Sequence, residues 1–311
     1  MAGGYFDIVV FLDHIAGMKE NIATFWPASW PAAAKRIVDA LSTMDKVIVS
    51  AHVSPDGDAV ASLAAAGHVL RALGKEFVLY SYTGIPAYLN FVPLPGIVRT
   101  SLSTLPFTPK AGLWLDCNVP GRLGKDLVTV ATTLPSVIVD HHELPCGHET
   151  GNMGNLGHWI VPEAAATAHL MACVASAAGL PLAGELANAL MVGLVTDTGG
   201  FHHANTSPEV LQLVAHLVTN GVNISDIRNS LDNCWSWGHF RLWARLMDRV
   251  QCRFDGKLAF CVVRLEDLQQ CQALKDDLEG FVEQMRRLAG VKVTLLLRED
   301  APGYWKFSLR S

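Results

Sequence analysis

Two short clusters of acid and imidazole side chains carry the strongest chemical signal in this chain. Residues 137–142 read Val-Ile-Val-Asp140-His141-His142, an apolar run that stops on one carboxylate and two imidazoles. Residues 47–58 read Val-Ile-Val-Ser-Ala-His52-Val-Ser-Pro-Asp56-Gly-Asp58, a second apolar run that stops on three more such groups. Two further runs, Leu113-Trp-Leu-Asp116 and Leu190-Met-Val-Gly-Leu-Val-Thr-Asp197, each end on a single aspartate. Four apolar strands delivering these groups at their C-terminal ends would converge on one edge of a parallel sheet, where open α/β folds hold their ligands. Carboxylates outnumber imidazoles and no thiolate joins them, a donor set suited to hard divalent cations rather than structural zinc. The chemistry expected of such a set is two-metal catalysis.

The local spacing supports this. Pro55 breaks the strand, and Gly57 lets the backbone turn sharply enough for Asp56 and Asp58 to face the same way and serve two neighbouring cations. The plainer alternative is a turn in which Asp58 caps a helix beginning at Ala59. Adjacent histidines on an extended chain point to opposite sides, so one of His141 and His142 can bind metal while the other faces substrate. Asp140 is placed to orient an imidazole. Asp116 and Asp197, each taken alone, read equally well as cap or turn residues, and it is the four segments together that point to a metal site. His202 and His203 follow the Gly199-Gly200 loop and are candidates for touching substrate, whereas the other histidines read as packing or surface residues. No nucleophile elbow, Walker loop or dinucleotide-binding glycine motif follows a strand. Cys117 is a thiol by position only, with nothing in the sequence to activate it.

The elements that must position these residues read as an α/β chain, a parallel-sheet domain with helices on both faces plus a smaller α+β domain. At 311 residues there is room for both. Half of the residues are hydrophobic and 17% are charged, which suits a sheet buried on both faces and a subunit interface, making a homodimer a candidate assembly. Strands are expected at 47–53, 77–80, 112–116 and 136–140, and helices at 58–73, 162–178 and 208–220, with 186–196 part helix and part strand. Residues 224–250 read as a helical linker whose Trp235, Trp237 and Trp243 are packing residues. Beyond it come strand 258–265, helix 270–288 and strands 291–298 and 304–310. The resulting division is an N-terminal extension over 1–30 with a helix near Phe6–Ile15, a catalytic domain over 31–223, the linker, and a substrate domain over 251–311.

Residues 1–240 hold 11 Lys and Arg against 19 Asp and Glu, whereas residues 241–311 hold 13 against 10. An acidic first part fits a carboxylate metal site, and the mildly basic remainder could hold an anionic substrate. Neither part is basic enough to grip long duplex nucleic acid. Seven scattered cysteines form no CxxC pair, which points to a reducing compartment, the cytoplasm. Asp7 and Asp13 interrupt the apolar N-terminus, so neither a signal peptide nor a membrane association is expected.

On these residues the chain resembles the DHH phosphoesterase superfamily, named for the triplet that Asp140-His141-His142 matches. His52…Pro55-Asp56-Gly57-Asp58-Ala59, Asp116, the triplet and Gly193-Leu-Val-Thr-Asp197-Thr-Gly match in order. The resemblance runs on through Pro162-Glu163-Ala-Ala-Ala-Thr167, Glu279-Gly280-Phe281-Val282, Gly290-Val291 and Ser308-Leu309-Arg310-Ser311. It is strongest to the branch of nano-RNases (oligoribonucleases) and 3′-phosphoadenosine 5′-phosphate phosphatases, which carry a DHHA1-type second domain. It implies two divalent cations, usually Mn2+, with Mg2+ or Co2+ as alternatives. One would be held by His52, Asp56 and Asp116, the other by Asp58, Asp116, His141 and Asp197, with Asp116 shared. It further implies that His142 contacts the scissile phosphate and that Arg310 binds the substrate, a short oligonucleotide or nucleotide; Arg286, in the same basic C-terminal part, is a second candidate for its phosphate groups.

The sequence departs from the family pattern in three places. The Gly-Gly-Gly-His motif expected after Ser308-Leu309-Arg310-Ser311 would fall past the last residue, so the DHHA1-like domain reads as incomplete. Glu143-Leu-Pro-Cys146 replaces the segment that often begins with Asn, and His169 stands where relatives carry an acid, a change read as lying on a helix surface. Two rival readings are a manganese inorganic pyrophosphatase of the same superfamily, against which the C-terminal part lacks a Ser-Arg-Lys-Lys cluster, and a catalytically weak nucleotide-binding regulatory module. A RecJ-like exonuclease would need an added single-strand platform for which the chain has no room.

Overall fold

The computed structural model describes residues 25–144, 150, 152–233 and 235–311; the expected helix near Phe6–Ile15 lies outside them. The chain forms two compact units, one up to Asn229 and the other Ser230–Ser311.

In the larger unit the apolar runs become a six-stranded, all-parallel sheet in the order β3-β2-β1-β4-β5-β6. Its strands are β1 (Val47–Ser50), β2 (Phe77–Tyr80), β3 (Val98–Arg99), β4 (Ala111–Leu115), β5 (Ser136–Asp140) and β6 (Gly157–Ile160). Every residue of β1, β4 and β5 is buried, as expected of central strands covered on both faces. The order reverses between β1 and β4, and such a switch point opens a crevice at the C-terminal ends of the strands. His52, Asp116 and Asp140 sit there.

The helices of this unit are α1 (Trp30–Thr43), α2 (Gly57–Ala72), α3 (Val128–Thr133), α4 (Thr167–Ala177), α5 (Gly184–Asp197), α6 (Pro208–Thr219) and α7 (Ile224–Asp232), the last crossing the unit boundary. Here the reading of 190–197 as a strand is corrected: the whole segment is helical. The cause lies in its surroundings. Residues 189–195 are all buried, so the run is apolar all round and lacks the 3.6-residue period of a half-buried helix. Gly193 permits the crowding, because a Cβ there would lie 2.5 Å from the Cβ of Ala168 and 2.8 Å from Oδ1 of Asp58.

The smaller unit is a four-stranded sheet in the order β10-β9-β8-β7, from β7 (Gln251–Arg253), β8 (Leu258–Val263), β9 (Val293–Ala301) and β10 (Tyr304–Arg310). Helices α8 (Trp237–Asp248), α9 (Leu265–Cys271) and α10 (Phe281–Met285) accompany it. The stretch 224–250 is not a plain spacer. Its second half is α8, whose Leu242, Trp243 and Leu246 join Phe281 and Met285 in the core of this unit. Trp243 is a packing residue and its Nε1 donates to the Asp277 carbonyl at 2.8 Å, but Trp237 is 75% exposed. The single helix expected over 270–288 is broken, because Gln272 and Gly280 both take positive φ and a 3-10 turn, Lys275–Leu278, lies between them.

Asp267 anchors this unit. Its fully buried carboxylate accepts from Nε of Arg245 at 2.8 Å, Nη1 of Arg249 at 2.6 Å and the Arg264 backbone N–H at 3.0 Å. Burial works against its charge, but these donors prevail and hold its pKa below the usual carboxylate value. Both guanidinium groups are partly open to solvent, so Asp267→Asn is expected to cost about 1–3 kcal/mol rather than the full loss of a buried pair. A depressed folded-state pKa stabilises above the unfolded value of about 4, and that contribution disappears as pH falls through the folded pKa. Denaturant titrations of wild type and variant should therefore differ at pH 7 and converge towards pH 3; a constant gap would refute the electrostatic origin.

Candidate metal centre

Each loop at the switch point is shaped to present its acid or imidazole. Beyond β1, His52 points its Nε2 at Oδ2 of Asp116 (3.3 Å) and Oδ1 of Asp56 (3.8 Å), while its Nδ1 lies 2.9 Å from the Val53 carbonyl. Asp56, not Asp58, is the N-cap of α2, with Oδ1 accepting from the Ala59 N–H at 3.1 Å. The helix thus begins two residues before Ala59, at Gly57, and its cap is Asp56 rather than Asp58. Asp58 is one residue inside α2 and fully buried.

Asp58 is seated on the N-terminus of another helix. Its Oδ2 accepts from the Thr167 N–H at 2.6 Å and its Oδ1 from the Ala168 N–H at 2.8 Å, the first two residues of α4. The free N–H groups and positive dipole end of a helix are a natural seat for a carboxylate. The Thr167 hydroxyl donates to Oδ1 of Asp116 at 2.9 Å, so one residue fixes two acids. Asp116 has φ of 53°, which turns its carboxylate inward directly after β4.

From β5, Asp140 accepts through Oδ1 from both the backbone N–H (3.0 Å) and ring Nδ1 (2.9 Å) of His142. His142 therefore keeps Nε2 outward on a ring that is 40% exposed. His141 does not point away from it, as neighbours on an extended chain would: β5 ends at Asp140, the two rings meet edge to face with centroids 4.4 Å apart, and both approach Oδ1 of Asp116. Nδ1 of His141 lies 3.2 Å from the Ala164 carbonyl, and its Nε2 lies 3.1, 3.6 and 3.8 Å from carboxylate oxygens of Asp197, Asp116 and Asp58. Asp197 is the last residue of α5.

All of the sequence-predicted metal residues thus come together. Three groups each offer ligand atoms within 4.8 Å of one another: His52, Asp56 and Asp116; Asp58, His141 and Asp197; and Asp116, His141 and His142. Arg286 and Arg310 belong to the smaller unit, and Nε of Arg310 donates to Oε1 of Glu283 at 2.9 Å. Of the histidines after Asp197, His203 brings Nδ1 to 3.2 Å from the Asp197 carbonyl. His169 is a correction: it is buried, with Nε2 2.8 Å from the Phe25 carbonyl and its ring 4.8 Å from that of Trp30, not on a helix surface.

The electrostatics describe a site short of positive charge. Burial, then the like charges of Asp197, Asp116 and Asp56, push Asp58 well above the usual carboxylate range, and burial likewise raises Asp197. For Asp116 burial pulls the same way, but hydrogen bonds from His142 and His52 overcome it and hold the acid ionised. Burial opposes a charged His52, yet Asp116 and Asp56 raise it to about 10; His142 is raised to about 10 by Asp116 and Asp140. The donor set fits a cation: Nε2 of His141 is buried and makes no hydrogen bond among the described residues, although three carboxylates surround it. Cys117 is fully buried, which pushes its thiol up to about 12, away from the thiolate that a nucleophile needs.

Gly193→Ala tests the packing beneath the site. The new methyl would collide with Ala168 and Asp58, so we expect a loss of about 1–3 kcal/mol in stability together with weaker cation binding. Melting curves recorded with and without divalent cation check both effects; a stable variant with normal binding would show that the helices yield without moving Asp58.

Comparison with known proteins agrees with this geometry. Residues 46–194 match the model of the DHH family, N-terminal domain. The chain is 31% identical over 268 residues to the bifunctional oligoribonuclease and PAP phosphatase NrnA of Thermus thermophilus, covering 85% of this chain and 76% of that protein. It is 24% identical to an uncharacterized protein, the MG371 homolog of Mycoplasma pneumoniae, over 88% of this chain and 81% of the other. In fold it is similar to an exopolyphosphatase-related protein from Bacteroides fragilis, with a TM-score of 0.77, 24% identity and coverage of 90% of this chain and 83% of the other. The apolar strands that end on acids and imidazoles, the switch-point cluster and the identity to NrnA have one explanation: this chain belongs to the DHH family.

Proposed function

We propose that this chain is a two-metal phosphoesterase that hydrolyses short oligoribonucleotides and 3′-phosphoadenosine 5′-phosphate. The observation that carries the reading is the pair of ligand groups, His52–Asp56–Asp116 and Asp58–His141–Asp197, side by side at the sheet's switch point. We assign one cation to the first group and the other to the second, with Asp116 shared. The substrate class is that named for the Thermus relative, and the acidic character of residues 1–240 favours a small substrate over a long polyanion.

Cations bound there would activate water for attack on phosphorus and neutralise phosphoryl oxygens. The chain's own groups do the rest. Asp140 holds the His142 ring by Nδ1, leaving Nε2 free to donate a proton to a phosphoryl oxygen. Thr167 and the start of α4 keep Asp58 and Asp116 in place between turnovers. Arg286 and Arg310, both exposed, we assign to substrate phosphates. Manganese is the cation we favour, since carboxylates mixed with imidazoles suit it better than magnesium or calcium. A cytoplasmic location is supported by Cys117, Cys173, Cys252, Cys261 and Cys271, which are all unpaired. Among the described residues no helix is long and apolar enough to cross a membrane.

The test is direct. Protein stripped with a chelator and reloaded with Mn2+ should release mononucleotides from a dinucleotide and phosphate from 3′-phosphoadenosine 5′-phosphate, and the stripped protein should not. Absence of both activities with Mn2+, Mg2+ and Co2+ alike would overturn the reading.

A further inference from the structure

Asn205 lies outside every ligand group, eight residues past Asp197, yet its side chain ties the centre together. Its Nδ2 donates to the Ala165 carbonyl at 2.9 Å and to the Asp197 carbonyl at 3.2 Å. Both partners are carbonyls, so the amide nitrogen must face them, and one NH2 group uses both of its protons. Oδ1 of the same amide is buried and has no hydrogen-bond partner among the described residues. Such an atom costs free energy, so the position is occupied for the sake of its two donors.

The two carbonyls belong to different parts of the site. Asp197 ends α5 and supplies an acid to the second ligand group. Ala165 lies in the turn before α4. The neighbouring Ala164 carbonyl lies 3.2 Å from Nδ1 of His141, and Thr167 and Ala168 hold Asp58. The Asp197 carbonyl also has His203 Nδ1 at 3.2 Å, but His203 belongs to the loop after α5, whereas Asn205 ties that carbonyl to the turn before α4.

We propose that Asn205 is a positioning residue of the second cation site: its amide locks Asp197 against the turn that carries the partners of Asp58 and His141. The inference rests on the two-metal reading. It makes a claim that a general packing role does not, namely that losing the amide weakens one cation selectively. Among the described residues His52 and Asp56 share no hydrogen-bond partner with Asn205, and they should hold their cation as before.

Asn205→Asp is the sharpest test, because it keeps the shape and replaces two donors with oxygens facing two carbonyls. Asn205→Ser, which keeps at most one donor, serves if the aspartate variant does not fold. Mn2+ binding is followed by isothermal titration, and retained metal by elemental analysis after desalting. We expect wild type to hold two ions per chain. The variants should hold one with unchanged affinity and bind the second about 10–100-fold more weakly, the effect typical of groups that orient a ligand. Two ions held normally by a folded variant, or equal weakening of both, would overturn the assignment to Asn205 alone. Fewer than two ions on wild type would overturn the two-metal reading and this inference with it.

Discussion

Asp116→Asn should leave a folded chain that holds neither cation, with hydrolysis reduced by at least about a thousandfold. The substitution is well suited to the position. At φ of 53° asparagine is tolerated, so the backbone should stay in place while the charge is lost. Asp116 lies 3.3 Å from the His52 ring and 3.6 Å from the His141 ring, within reach of both ligand groups. Removing a shared negative charge weakens the hold on each cation and leaves their mutual repulsion uncompensated. Asp58→Asn, in contrast, should lose chiefly one ion. Elemental analysis of the two purified variants makes the comparison, and equal partial loss from both would count against a shared role for Asp116.

His142→Ala should lower kcat by about 10²–10⁴-fold while metal content and KM change little. Its ring hangs from Asp140 with Nε2 outward, the posture of a group that serves substrate rather than metal. Asp140→Asn should fall between the two, because its amide can still accept from the ring but no longer favours the protonated form. The geometry leaves one sharp alternative, since His142 also lies 3.2 Å from Asp116 and shares a ligand group with it. Loss of an ion together with activity in His142→Ala would make His142 a ligand instead.

The central strands were legible because β1, β4 and β5 are buried from end to end, and a continuous apolar run that stops abruptly on acids leaves few other readings. The edge strands β3 and β6 were not, being two and four residues long with little pattern to see. Asp197 is expected among the ligand candidates on a strand, but it ends a helix. A helix surrounded by core loses its period, and no window of residues 184–197 by itself distinguishes it from a buried strand. The seat of Asp58 was illegible for a different reason. It depends on backbone N–H groups of Thr167 and Ala168, more than a hundred residues away, and backbone donors leave no mark on composition. Asn205 likewise acts through two main-chain carbonyls, so nothing in its sequence surroundings announces it.

The complete burial of Asp58 links metal supply to the lifetime of the protein. A carboxylate sealed in the interior among other acids is a liability to the folded state when no cation is present, and the unfolded chain has no such conflict. Cations that bind only the folded form remove the conflict and add stability by mass action, about 2.7 kcal/mol when free ion exceeds its dissociation constant a hundredfold. The empty form opens more often and is the one that proteases meet. When divalent cations are scarce, the cell should therefore lose not only the activity of this chain but the chain itself.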